Sequence, residues 1–122
     1  MSTENKVIAY IHPTAVIHPR AKIGKNVQIG PYAVIDENVE IGDETKIMSH
    51  AVITGWTGIG ENCVIYPGAV VGSEPQDLKF KGEKSYVFIG NRTTIRECAT
   101  IHRGCGAETE TRIGDDCLLM AY

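Results

Sequence analysis

From Ile11 to Val71 every sixth residue is a β-branched aliphatic: Ile11, Ile17, Ile23, Ile29, Ile35, Ile41, Ile47, Ile53, Ile59, Ile65 and Val71. The phase returns at Ile89, Ile95 and Ile101, and again at Ile113 and Leu119, with Asp77, Glu83 and Ala107 as the interruptions. Six is neither the 3.6-residue period of a helix nor the two-residue alternation of a half-buried strand, so it marks a repeat. Within each hexad the fifth residue is small or slender, as at Ala15, Ala33, Val39, Thr45, Cys63 and Ala69. The second is often glycine, as at Gly24, Gly42, Gly60 and Gly90, and the fourth is often Asn or Gly, as at Asn26, Asn38, Asn62, Gly68 and Gly104. Both types tolerate positive φ, which a tight corner in every hexad requires.

Each hexad therefore predicts one short strand with an aliphatic side chain turned inward, followed by a corner. Three hexads close a triangular coil of 18 residues, and successive coils stack as parallel strands ~4.8 Å apart. The fold predicted is all-β: a parallel β-helix, or hexapeptide-repeat solenoid, of about six triangular coils ~29 Å tall. Known hexapeptide solenoids wind left-handed, against the usual crossover rule. That handedness is implied by the likeness and not by the repeat itself. Helix is the poor competitor, since β-branched residues dominate and glycine recurs.

Residues 1–10 are expected to form an N-terminal tail or cap, and 11–122 a single β-helix with loop excursions at about 73–86 and 105–111. The first excursion, SEPQDLKFKGEKSY, puts Asp77 and Glu83 where inward aliphatics are due. An unpaired carboxylate cannot occupy a core slot, so the chain must leave the prism there. The phase survives across the break, either because one coil is still partly traced or by coincidence. Long excursions from a rigid scaffold are where function tends to sit.

The net charge of −3 and the lack of a basic run exclude nucleic acid and anionic membrane surfaces as partners. Met1–Lys6 lacks the apolar core of a signal peptide, and no apolar stretch reaches membrane-spanning length. A soluble cytoplasmic protein is expected. A prism with open ends exposes aliphatic surface and unpaired backbone, which favours oligomers. Cys63, Cys105 and Cys117 take the small fifth slot and no CxxC occurs, so the four cysteines are expected to be reduced thiols, buried or half-buried. His12-Pro13 and His18-Pro19 read as corner residues ahead of proline turns. Trp56, the sole tryptophan, with His50 one hexad earlier, points outward, either into a subunit interface or to solvent.

Two segments are sharper than the hexads. Gln76-Asp77-Leu78-Lys79 and Thr100-Ile101-His102-Arg103-Gly104 resemble signatures of the UDP-N-acetylglucosamine O-acyltransferase family, as do the opening IHPTAVIHPRAKIG and the late GDDCLLM. The resemblance implies transfer of an (R)-3-hydroxyacyl chain from acyl carrier protein to the 3-hydroxyl of UDP-N-acetylglucosamine, in lipid A synthesis. It also implies a cytoplasmic homotrimer with active sites between neighbouring prisms and no metal or other cofactor. By resemblance Gln76, Asp77 and Lys79 contact the sugar nucleotide from the loop, and His102 lines the same cleft. Such chemistry needs a positioned base and a polar clamp before a sugar hydroxyl attacks a thioester.

Without the resemblance, Asp77 and Lys79 read as solvated loop charges and His102 as a polar corner residue. The sequence also departs from the family pattern. The family's general-base histidine follows the LLM segment inside an H-x-x-H pattern, whereas the sequence here ends at LLMAY. The base, the rest of the acyl groove and a helical C-terminal domain are expected beyond Tyr122, and the chain alone is expected to be inactive. Three alternatives stay open: the N-acyltransferase of the same pathway, a non-catalytic β-helix scaffold, and a zinc carbonic anhydrase on the same prism. The last requires an H-x4-H pair, which His12, His18, His50 and His102 do not form.

Overall fold

The structure, a computed structural model, describes residues 10–74, 82 and 84–122. Among these residues there are sixteen strands of two to four residues and no helix. They form three parallel sheets, one of six strands and two of five, and every neighbour in a sheet is one coil away. The first sheet carries Ile11, Ile29, Ile47, Ile65, Ile95 and Leu119 in register. The second carries Ile17, Ile35, Ile53, Val71 and Ile101. The third carries Ile23, Ile41, Ile59, Ile89 and Ile113. The six-residue phase is thus the inward position of three faces taken in turn. Stacking like on like fills the prism with isoleucine, buried from Ile29 through Ile101 and half-exposed at both ends.

The spacing of paired residues explains why the phase outlives the breaks. Ile41 pairs with Ile59, eighteen residues on, but Ile59 pairs with Ile89, thirty on, and Ile89 with Ile113, twenty-four on. The insertions are therefore twelve and six residues long, both multiples of the hexad. No described residue of either insertion adds a coil, and Ala107 is exposed. The continued phase is a coincidence of insertion length. Both insertions leave at the corner between the second and third sheets, after Val70–Ser73 and Thr100–His102.

The corners are not alike, and glycine serves them differently from the expectation above. After the third sheet the fourth position is left-handed throughout, at Asn26, Glu44, Asn62, Arg92 and Asp116, and after the first sheet at Tyr32, His50, Gly68 and Cys98. Asn38 and Gly104, at the corner after the second sheet, have no positive φ. Most second-place glycines are there for closeness and not for φ. A Cβ on Gly42 would lie 2.7 Å from the carbonyl carbon of Gly60 in the coil above.

Two of the cysteine expectations need correction. Cys98 and Cys105 are exposed, while Cys63 is buried and Cys117 half-buried, and none of the four is in a disulfide. Cys105 misses its slot because the chain has already left the prism after His102, and Cys98 sits at an outward corner with φ 57°.

Candidate functional site

The corner between the second and third sheets gathers the polar chemistry. Strand Val70–Ser73 pairs with Thr100–His102 as Val70↔Thr100 and Val71↔Ile101, then skips Gly72 and pairs Ser73 with His102. This is a β-bulge, a device that re-aims side chains at sheet margins. Gly72 has φ 94°, and a Cβ there would strike the Thr54 carbonyl oxygen and the Thr57 hydroxyl. Only glycine fits this conformation and this space.

The bulge brings Ser73 and Glu74 onto His102. His102 Nδ1 lies 2.7 Å from the Glu74 carbonyl oxygen and 3.0 Å from Ser73 Oγ. The backbone on either side is held as well: Arg103 N–H donates to the Ser73 carbonyl at 2.8 Å, and Thr111 Oγ1 donates to the His102 carbonyl at 2.9 Å. The result is a groove of about 540 Å³ lined by Thr54, Gly72, Ser73, Glu74, His102 and Arg103. Thr54 is itself fixed, its hydroxyl donating to Asp36 Oδ2 at 2.5 Å and its carbonyl accepting from Thr57 Oγ1 at 2.6 Å.

Beyond Arg103 the surface turns aromatic and cationic. The Arg103 guanidinium lies 5.6 Å from the centre of the Trp56 ring, and Lys84 Nζ lies 5.5 Å from Trp56 and 5.6 Å from Tyr86. Cations over ring faces at such distances are attracted by the ring quadrupole. The second insertion closes against this wall: Glu108 N–H donates to the Lys84 carbonyl at 2.7 Å, and Tyr86 Oη donates to Glu108 at 3.0 Å. A separate groove of about 480 Å³ runs along the outer face of the third sheet beside Gly24, Gly42, Gly60 and Gly90. Its charged margin is the Lys22–Glu40 ion pair at 3.9 Å together with Arg112, and it holds no histidine or hydroxyl cluster.

Of the residues singled out from sequence, His102 sits in the corner groove, while Gln76, Asp77 and Lys79 lie outside the described residues. Ser73 and Lys84 were not singled out, Gly72 counted only among the second-place corner glycines, and Arg103 was quoted in a motif without a role. Arg103 had a signal, being next to His102 in TIHRG. Ser73 had none, since its role depends on pairing with a residue twenty-nine positions away. Trp56 is half-buried against two cations, and not a bare surface aromatic.

The bacterial transferase hexapeptide model, of six repeats, matches residues 8–37, 20–55 and 38–73, more than half of the sequence. The chain belongs to the bacterial transferase hexapeptide family. Within this hexapeptide family, the chain is 62% identical over 112 residues to the acyl-[acyl-carrier-protein]–UDP-N-acetylglucosamine O-acyltransferase of Chlorobaculum parvum, covering 92% of this chain and 42% of that one. It is 51% identical to the enzyme of the same name from Thermodesulfovibrio yellowstonii, covering 92% of this chain and 44% of that one. Two crystal structures superpose with a TM-score of 0.87. One is a UDP-N-acetylglucosamine acyltransferase from Bacteroides fragilis, 53% identical over 90% of this chain and 43% of that one; the other is LpxA from Acinetobacter baumannii, 48% identical over 91% and 43%. The chain thus spans well under half the length of these relatives. The fold is the left-handed parallel β-helix. Among the described residues no helix is long and apolar enough to cross a membrane, and no three of His, Cys, Asp and Glu converge to hold a metal ion.

Proposed function

We propose that this hexapeptide-family chain supplies the sugar-nucleotide side of an acyltransferase of lipid A biosynthesis. The reaction moves an (R)-3-hydroxyacyl chain from acyl carrier protein to the 3-hydroxyl of UDP-N-acetylglucosamine, in the cytoplasm, within a homotrimer whose sites lie between prisms. The observation that carries this is the 62% identity to an enzyme of that name over 92% of the chain. It is supported by a polar groove at the one corner from which both insertions depart. In this function His102 and Arg103 line the groove, and Asp77 and Lys79 contact the sugar nucleotide from the first insertion, with Gln76 beside them. A lysine suits an anionic nucleotide group, and an aspartate can orient a hydroxyl or an imidazole.

The test is a graft. The matching segment of the Bacteroides fragilis enzyme is replaced by this chain's residues 10–119, and acyl transfer from 3-hydroxyacyl carrier protein to UDP-N-acetylglucosamine is measured. Retained transfer, lost on Asp77→Ala and on His102→Ala, is expected. A folded graft that transfers nothing, or that is indifferent to both substitutions, would refute the proposal and favour a scaffold role.

A further inference from the structure

The contacts on His102 determine which ring nitrogen carries its proton. The Glu74 carbonyl oxygen, 2.7 Å from Nδ1, can only accept a hydrogen bond, so Nδ1 must be the donor. The proton is assigned from this partner's chemistry. Ser73 Oγ, 3.0 Å from the same nitrogen, then takes a share of that N–H and is not a nucleophile activated by histidine. In the neutral ring the lone pair is left on Nε2. Free imidazole side chains in water favour the opposite tautomer, with the proton on Nε2, so the protein works against the intrinsic preference.

We infer that the Gly72 bulge is a positioning device: it places the Glu74 carbonyl and Ser73 hydroxyl so that His102 is held as the Nδ1–H tautomer and presents Nε2 as a hydrogen-bond acceptor for a ligand hydroxyl in the corner groove. Without the bulge the strand would continue in register, and Gly72 would stand opposite His102 in place of Ser73. Thr111 and the Ser73 carbonyl grip the His102–Arg103 peptide from both sides, which fixes the origin of the ring, while the Glu74 carbonyl sets its tautomer. Gly72, Ser73 and Glu74 act through His102 and are positioning residues. The inferred ligand class, a sugar hydroxyl, rests on the function proposed above; the tautomer does not.

The experiment is long-range 1H–15N correlation of the imidazoles in the whole chain, at a pH where the ring is neutral, with His102 assigned by its loss in His102→Gln. The expected spectrum shows a protonated Nδ1 and an unprotonated Nε2, a pattern retained in Ser73→Ala because the Glu74 carbonyl remains. Deleting Gly72 should return the ring to mostly Nε2–H. A wild-type ring with the proton on Nε2 would overturn the inference, whether or not the deletion variant folds. Titration with UDP-N-acetylglucosamine then separates the two proposals. A shift at Nε2 supports both; the predicted tautomer with no shift at Nε2 overturns the sugar-hydroxyl acceptor role and leaves the positioning device standing.

Discussion

Thr45 offers a test of what holds one coil to the next. It is fully buried in the fifth slot of its hexad, where Ala33 and Ala51 stand at other corners. Its hydroxyl donates to the Gly60 carbonyl at 2.7 Å and accepts from the Cys63 N–H at 3.2 Å, bridging to the coil above. Thr45→Val keeps the shape and removes both bonds. Each buried group left without a partner costs about 1–3 kcal/mol, at the low end for the half-buried carbonyl. The added methyl recovers up to about 0.8 kcal/mol. The net loss expected is about 2 kcal/mol, which lowers a urea midpoint by ~1 M when the denaturant slope is ~2 kcal/mol/M. Trp56, the sole tryptophan, reports unfolding of the next coil by fluorescence. Thr45→Ser, which keeps the hydroxyl, should stay within ~1 kcal/mol of wild type, since surviving hydrogen bonds outweigh a lost methyl. A Thr45→Val chain as stable as wild type would refute the argument and reduce the slot to a space for any small side chain.

Glycine and thiol substitutions extend the test. Gly42→Ala forces a Cβ to within 2.7 Å of backbone in the coil above and should destabilise by more than ~2 kcal/mol, whereas Gly58→Ala meets only the edge of the Phe88 ring at 3.3 Å and should change stability by less than ~1 kcal/mol, both read by urea melts. Exposed Cys98 and Cys105 should react with an aromatic disulfide reagent within the first fast phase, half-buried Cys117 more slowly, and Cys63 only on unfolding. Burial pushes the Cys63 thiol above its ordinary value, because desolvation disfavours the thiolate. The folded state then holds that proton longer than the unfolded chain, so stability falls as pH rises past about 8.5, and Cys63→Ala should remove that part of the slope.

How much of this was legible depends on whether the cause was local. The inward isoleucines were visible because every coil asks the same thing of the same position. The site was half visible. His102 stood out in TIHRG, but the bulge that aims Ser73 and Glu74 at it exists only in the pairing of distant strands. Gln76, Asp77 and Lys79 stood out through the QDLK resemblance where the ladder breaks, and they lie outside the described residues.

The fifth slot shows what the sequence held without displaying it. Taken together, its occupants are simply small. Sorted by corner, they separate: after the first sheet the slot is Ala15, Ala33, Ala51, Ala69 and Ala99, while after the third it is Val27, Thr45, Cys63, Thr93 and Cys117. In the latter column Thr45 donates to the Gly60 carbonyl, Cys63 Sγ to the Gly90 carbonyl at 3.0 Å, and Thr93 to the Gly114 carbonyl at 2.7 Å. Each donor thus satisfies the carbonyl of the second-place glycine one coil up, whose backbone lies too close to the second-place glycine below, Gly42, Gly60 or Gly90, for that lower position to carry a side chain. The glycine and the donor are two halves of one coil-to-coil joint. The joint repeats every eighteen residues, and insertions of twelve and six shift it between hexads without disturbing the sixfold phase. A period of six therefore carries the eighteen-residue coil within it, and the pairing register assigns each hexad beyond the insertions to its face.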